Sequence, residues 1–307
     1  MSDPASWLEE ISPWHPGEQA LQRRMGVRER MEAVGRRVLR DFLPEEHREF
    51  YPLLSFLVVG SRDEAGQPWA SILTGEPGFV GSPDPRRLRV DAWPAEVDPL
   101  ARALRPGAEL GLLGIDLSTR RRNRANGRVL AADGSGFTFG VGQTFGNCPR
   151  FIHRRELRAS DGETGAAPPA TRSEALGAAD RALVTAADTF FVASASRGAG
   201  DEPAHGLDAS HRGGPPGFVR VEDARSLLVP DYPGNQFFNT LGNLLVEPRC
   251  GLLFLDFERG DLLQLAAEAE ILWREPAAAQ PLDSGRWLRF RVREVLRRPG
   301  AISFLCR

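Results

Sequence analysis

From Gly17 to Arg40 the apolar residues Leu21, Met25, Met31, Val34 and Val38 recur at a roughly helical period among good helix formers, which predicts an N-terminal helix. Pro44-Glu45-Glu46 has the form of a second helix start, with acids in the first turn, and Pro52 closes it. After Tyr51 the pattern changes to short apolar, β-branched runs separated by turn residues. Phe56 to Ser61 is followed by Asp63-Glu64-Ala65-Gly66, and similar runs at Leu88 to Val90, Leu110 to Ile115 and Gly127 to Ala131 predict strands. Ser160 to Thr171 is small, polar and proline-bearing and reads as a linker, Ser173 to Ala187 as a capped helix, and strand patterning resumes at Phe190.

The two strand-rich stretches are related. Trp69 to Val90 laid on Asp208 to Val229, a constant offset of 139, gives eleven identities in 22 positions, among them Gly75/Gly214, Gly78/Gly217, Phe79/Phe218, Asp84/Asp223 and Arg86/Arg225. With one residue inserted the match resumes at Gly111-Leu112-Leu113 on Gly251-Leu252-Leu253. A period this long indicates a duplicated domain, not a solenoid. Two homologous β domains in one chain mimic a homodimer, whose shared surface is a natural ligand site. The expected fold is mainly β (α+β): two tandem split β-barrels forming a pseudo-dimer, with an N-terminal helical segment. The expected division is 1–50 helical, 51–159 first barrel, 160–187 linker and helix, and 188–307 second barrel.

Function is sought where the copies diverge. Copy two has Asn235-Gln236-Phe237-Phe238-Asn239-Thr240-Leu241-Gly242-Asn243, and copy one has no counterpart to its asparagines. Asn235, Asn239 and Asn243 are spaced by four. On a helical first turn they share a face, where amides and N-terminal N–H groups either hold an anion or simply cap a solvated helix. Ser210-His211-Arg212-Gly213 replaces Ser71-Ile72-Leu73-Thr74. By strand alternation Ser210 and Arg212 share one face, and the glycine admits a flat ligand to the backbone; the alternative is a surface hairpin. Copy one carries its own run, Thr119-Arg120-Arg121-Arg122-Asn123-Arg124, a charged connection between strands that taken alone reads as a solvated hairpin or a minor nucleic-acid patch more readily than as a ligand site. Gly142 to His153, with Asn147, Cys148 and Arg150, reads as a tight loop closing copy one, and Cys148 is either a reactive thiol or a buried inert one.

Composition narrows the chemistry. The chain of 307 residues is 41% apolar and 26% charged with a net charge of −2, which fits two ordinary globular domains and no general nucleic-acid or membrane-surface binder. Its 32 glycines and 24 prolines exceed the roughly 12% of average chains and favour many short elements. All 39 basic residues are arginine. Without lysine there is no pyridoxal phosphate Schiff base and no P-loop or kinase phosphate lysine, so any phosphate must be held by arginine, hydroxyls or amides. Three scattered cysteines suggest neither a disulfide framework nor a zinc site. The chain has no HExxH, GxSxG or true GxGxxG, no metal-spaced cluster, no apolar membrane-length run and no signal-like start, so a cytoplasmic protein is expected.

Several segments together are specific: WHPGEQALQRRMG, QPWASILTGEPGFV, TRRRNRANG, GNCPRFI, DASHRGGPPGFV and PGNQFFNTLGNLL. By these the chain resembles the pyridoxamine 5′-phosphate oxidase-like flavin split-barrel family, in particular its duplicated flavin-nucleotide-binding group. The resemblance implies a six-stranded antiparallel split barrel that dimerises with FMN at the barrel interface. It implies cofactor-binding roles for Ser210, His211, Arg212, Gly213, Asn235, Gln236, Asn239, Thr240 and Asn243 of copy two. From copy one it implies Arg122, Asn123, Arg124, Asn147, Cys148 and Arg150. The lysine common in the family's phosphate segment is missing here, so Arg212 or a copy-one arginine must supply that charge. The readings carried forward are an FMN-dependent oxidoreductase supplied by a separate NAD(P)H or reductase donor, a flavin carrier, and a cofactor-free pseudo-dimeric scaffold. A further homodimer is compatible with each.

Overall fold

The computed structural model describes residues 7–146, 149–159, 168–196, 202–273, 284–302 and 304–306. The N-terminal helices are α1 (Trp7–Glu10), α2 (Pro16–Arg24), α3 (Arg28–Val38) and α4 (Glu45–Phe50). The first barrel follows with β1 (Phe56–Arg62), β2 (Pro68–Thr74), β3 (Val80–Asp84), β4 (Arg87–Val90), α5 (Leu100–Ala103), β5 (Glu109–Asp116), β6 (Arg121–Ala132) and β7 (Phe137–Gly146). The connection contains β8 (Leu157–Ala159), β9 (Thr171–Ser173) and α6 (Ala178–Ala186). The second barrel has β10 (Thr189–Ala195), β11 (Leu207–Gly213), β12 (Arg220–Asp223), β13 (Ser226–Pro230), α7 (Asn239–Val246), β14 (Arg249–Leu255), β15 (Leu262–Trp273) and β16 (Arg286–Arg298), and β17 (Phe304–Cys306) returns to pair with β8.

The two sheets share one strand order. The first runs β2-β1-β5-β6-β7-β4-β3 and the second β11-β10-β14-β15-β16-β13-β12, with β9 added beside β16. Gly60 pairs with Gly111 across β1 and β5 as Ala193 pairs with Gly251 across β10 and β14. The residues identical between the copies serve this framework. A Cβ at Gly75 would lie 2.5 Å from Cγ of Phe79, and one at Gly214 would lie 2.6 Å from Cγ of Phe218, so each copy needs the glycine to seat its phenylalanine. Asp84 accepts from the Arg86 N–H at 2.8 Å and Asp223 from the Arg225 N–H at 2.6 Å, the same side-chain turn in both.

Each barrel has its own apolar core, around Leu57, Leu88 and Phe139 in the first and Phe190, Leu227 and Phe290 in the second. A third buried cluster joins them, with Val58, Leu113 and Ile115 facing Phe191, Leu253 and Leu255. The backbones nearly touch there. A Cβ at Gly111 would meet Cα of Asp208 at 2.7 Å, and one at Gly251 would meet Cα of Trp69 at 2.5 Å.

The local patterning differs from the structure in four places. The helix expected over Gly17 to Arg40 breaks at Gly26, whose φ of +65° suits a glycine and ends α2. Arg121 to Arg124 is not a connection but the start of β6, whose arginine side chains find partners across the barrel interface and over aromatic rings. The helix expected over Ser173 to Ala187 is shorter, because Thr171–Ser173 pairs with β16 before α6 begins. Gly142 to Gly146 completes β7 and is not part of a loop. Among the described residues no helix is long and apolar enough to cross a membrane.

Candidate functional site

A cavity of about 360 Å³ opens between the barrels, walled by β11, the segment from Pro230 to Leu241, the start of β6, Arg150-Phe151 and Arg286. Five arginines line it, Arg122, Arg124, Arg150, Arg212 and Arg286, against one lining acid, Asp231.

Arg124 crosses from β6 to the second barrel. Its Nη1 donates to Asp208 Oδ1 at 3.2 Å and its Nη2 to the Ser210 hydroxyl, which also accepts from the Thr240 hydroxyl at 2.9 Å. Arg124 is 5% exposed, and its Nε has no hydrogen-bond partner. Asp208 is satisfied further by Asn126 Nδ2 at 2.5 Å and, on its other oxygen, by Asn243 Nδ2 at 3.0 Å. These groups gather at the N-terminus of α7, whose first-turn N–H groups have no partner within the helix.

A second arginine group sits further along the wall. Asp231 accepts from Arg212 Nη1 at 2.6 Å on one oxygen and from Arg286 Nε at 2.9 Å on the other. The Arg286 guanidinium lies 5.4 Å from the Phe238 ring centroid. At the mouth, Phe151 stacks on Tyr232 with centroids 4.9 Å apart and planes 24° from parallel. A Cβ at Gly213 would lie 2.0 Å from the Phe151 carbonyl oxygen, so this junction of the two barrels admits only glycine.

His211 occupies the position where copy one has Ile72 and packs edge-on to Phe191 at 5.7 Å. Burial, then the charges of Arg122, His153, Arg155 and Arg212, push its pKa well below the usual imidazole range, so the ring is neutral. Its Nε2 is buried without a partner.

Of the residues singled out in the sequence, Ser210, His211, Arg212, Gly213, Asn235, Gln236, Asn239, Thr240, Arg122, Arg124 and Arg150 line the cavity. Asn123 does not: β6 alternation turns it to the other side, where it accepts from the Tyr51 hydroxyl at 3.1 Å and the Thr144 hydroxyl at 3.0 Å. Asn243 lies one turn into α7, behind the wall, bonded to Asp208 and Ser194. The asparagines do not share one helical face, because α7 begins only at Asn239; Gln236 and Phe238 have φ of 65° and 66°, and Asn235 instead caps the Phe237 N–H at 3.1 Å. Asn147 and Cys148 lie outside the described residues. Sequence reasoning missed Asp208, Asp231 and Glu18. The first two had a signal, since they stand where copy one has Trp69 and Ala92. Glu18, which accepts from Asn239 Nδ2, lies 221 residues from its partner and had none.

The equivalent place in the other copy is closed. Leu253 pairs with Gln264 as Leu113 pairs with Arg124, so Gln264 takes the arginine's place. Gln264 Nε2 donates to the Ala70 carbonyl at 3.0 Å and to Ser71 Oγ at 3.2 Å; Ser71 donates to Asp98 at 2.5 Å, and Arg298 closes on the other Asp98 oxygen at 2.5 Å. Ser71 and Gln264 are both 0% exposed. The internal polar network fills what is open in copy two.

No family model matches the sequence, and no curated protein matches it significantly. Solved structures do resemble it. A variant of HupZ from Group A Streptococcus is 13% identical, over 40% of this chain and 98% of that one, with a TM-score of 0.31. A protein from Lactobacillus delbrueckii assigned as a pyridoxamine 5′-phosphate oxidase is 14% identical, over 40% of this chain and 98% of that one, with a TM-score of 0.29. An FMN-binding protein from Syntrophomonas wolfei is 10% identical, over 38% of this chain and 82% of that one, also with a TM-score of 0.29. The two large antiparallel sheets share one strand order, so the chain carries one split-barrel fold twice in tandem.

Proposed function

We propose that the cavity binds one FMN per chain and that the protein is a flavin-dependent oxidoreductase fed by a separate electron donor. The observation that carries this reading is the convergence of Arg124, Ser210 and Thr240 on the α7 N-terminus, in one copy only. A phosphate dianion in a part-buried site needs charge-assisted donors, and arginine with a helix N-terminus supplies them without lysine. The residues present fit such a group. Arg124 has an unused Nε, Thr240 and Ser210 offer hydroxyls, and the lining arginines outnumber the lining acid. The Phe151–Tyr232 pair gives a flat ligand an apolar edge that sheds water.

When bound, the flavin supplies hydride or single-electron transfer. The chain's own residues bind and orient it. Arg212 and Arg286, fixed by Asp231, set the potential along the wall, and neutral His211 offers Nε2 as a hydrogen-bonding atom that carries no charge near neutral pH.

The test is a flavin titration of purified protein followed by anaerobic addition of NADH or NADPH. Saturation at one FMN per chain is expected, whereas colourless protein whose melting temperature ignores added FMN sinks the reading. Bound flavin that neither donor bleaches favours a carrier or a partner-dependent enzyme. Replacing Asn239 and Arg212 together with alanine is expected to weaken FMN binding by roughly tenfold to a hundredfold, the loss of one or two charge-assisted contacts, with the fold intact by circular dichroism. Unchanged affinity would move the site elsewhere.

A further inference from the structure

The segment His15-Pro16-Gly17-Glu18 begins α2, far from the barrels in sequence, yet it packs against α7. A Cβ at Gly17 would lie 2.2 Å from the Gly242 carbonyl oxygen, and one at Gly242 would lie 2.5 Å from Cγ of Glu18, so the two helices meet glycine to glycine. That contact places the Glu18 carboxyl behind the first turn of α7. One oxygen accepts from Asn239 Nδ2, on the cavity wall, and the other accepts from the His15 N–H at 2.9 Å. Glu18 is 3% exposed.

Among the described residues no arginine pairs directly with this carboxyl, and Arg124 acts on it only at longer range. His15 approaches it at 3.6 Å, but burial and then the neighbouring His205 push the His15 pKa down to about 4, so that ring is neutral over the working range. Asp208 on β11 faces Glu18 with the same sign, and Arg124 on β6 is already engaged by Asp208. The groups around Glu18 are therefore His15 from its own helix cap, His205 from the segment before β11, Asp208, Arg124 and the neutral Asn239 amide. Burial first, then Asp208, hold the Glu18 pKa well above the usual carboxylate range. A phosphate at the α7 N-terminus adds a third negative group to the same buried corner, where neighbouring anions resist being charged together.

We propose that Glu18 is a positioning residue of the nucleotide site: it aims Asn239 at the α7 N-terminus and takes up a proton when a phosphate binds there. This rests on the flavin reading above. The sign follows from linkage. A phosphate raises the Glu18 pKa further, so between the free and bound values binding consumes a proton and weakens as pH rises. FMN is itself dianionic above about pH 7, so that range isolates the protein's contribution.

Affinities for FMN and for riboflavin, which lacks the phosphate, are to be measured from about pH 7 to pH 9 on the full chain and on Glu18→Gln. For the wild type, FMN binding is expected to weaken as pH rises while riboflavin binding stays flat, by up to about tenfold for each full unit of linked pKa shift. Glu18→Gln, a fixed mimic of the protonated acid, is expected to hold its FMN affinity across the range. A wild-type FMN affinity that does not change with pH, a Gln variant that keeps the slope, or a riboflavin slope equal to that of FMN overturns the role of Glu18 and leaves the flavin site standing. Failure of the wild type to bind FMN at any pH overturns both. The riboflavin comparison needs no variant, so a misfolded Gln protein does not block the decision.

Discussion

Replacing Arg124 with leucine is expected to lower the unfolding free energy by roughly 3–5 kcal/mol, the usual result of removing one partner of a buried ion pair. Arg124 and Asp208 are 5% exposed each, and the leucine leaves the Asp208 carboxylate with only the Asn126 and Asn243 amides. It also removes the one side chain that ties Ser210 of the second barrel to β6 of the first. Chemical denaturation with a flavin titration separates these effects. Adding Asp208→Asn should return much of the stability, because no bare charge remains buried, yet FMN binding should stay at least a hundredfold weak, because the arginine proposed to hold the phosphate is gone. A single variant that costs less than about 1 kcal/mol would mean that water reaches Asp208 and that the pair is not a buried link.

Gly251→Val should be as damaging for a different reason. The first added atom meets Cα of Trp69 at 2.5 Å and the backbone N of Ala70 at 2.6 Å, and neither can swing aside as a side chain would. The barrels must separate along β2 and β14, at a cost expected near 3 kcal/mol, the upper end for overpacking. Flavin binding should fall with stability, since the cavity takes Arg124 from one barrel and Ser210 from the other. A melting temperature within a degree or two of wild type would show that this interface yields, and that the close backbone approach is not required. Gly111 makes the equivalent approach to Asp208, so its valine variant tests the same contact on the side that carries the cavity.

The asymmetry of the two halves has a simple physical form. Both place a serine at one strand position, Ser71 and Ser210, under a side chain from the facing barrel. In copy one that side chain is Gln264, short enough to bond the backbone, and Asp98 with Arg298 completes a buried set of no net charge. In copy two it is Arg124, longer and charged, beside an α7 that opens its N-terminus to the cavity where copy one has only the short α5. One half seals a polar network and the other leaves its donors facing space.

The repeat and its framework were legible in the chain because the demands are local. Gly75 with Phe79, Gly214 with Phe218, and the Asp84 and Asp223 turns each involve residues at most four apart, so identity between the copies records the same steric and hydrogen-bonding need twice. Most of the cavity wall was legible too, since Ser210 to Gly213 and Asn235 to Thr240 are where the copies differ while the framework does not. Tertiary structure decided the rest. The direction of Asn123 away from the cavity depends on which face of β6 meets the partner barrel, and the loss of a common asparagine face depends on α7 starting at Asn239. The charges that set the site's electrostatics, Glu18 behind Asn239, Asp208 under Arg124, and Asp231 between Arg212 and Arg286, are matched across as many as 221 residues. A carboxylate's partner is fixed by distance and burial in the folded chain, and neither quantity has a period that a linear pattern can display.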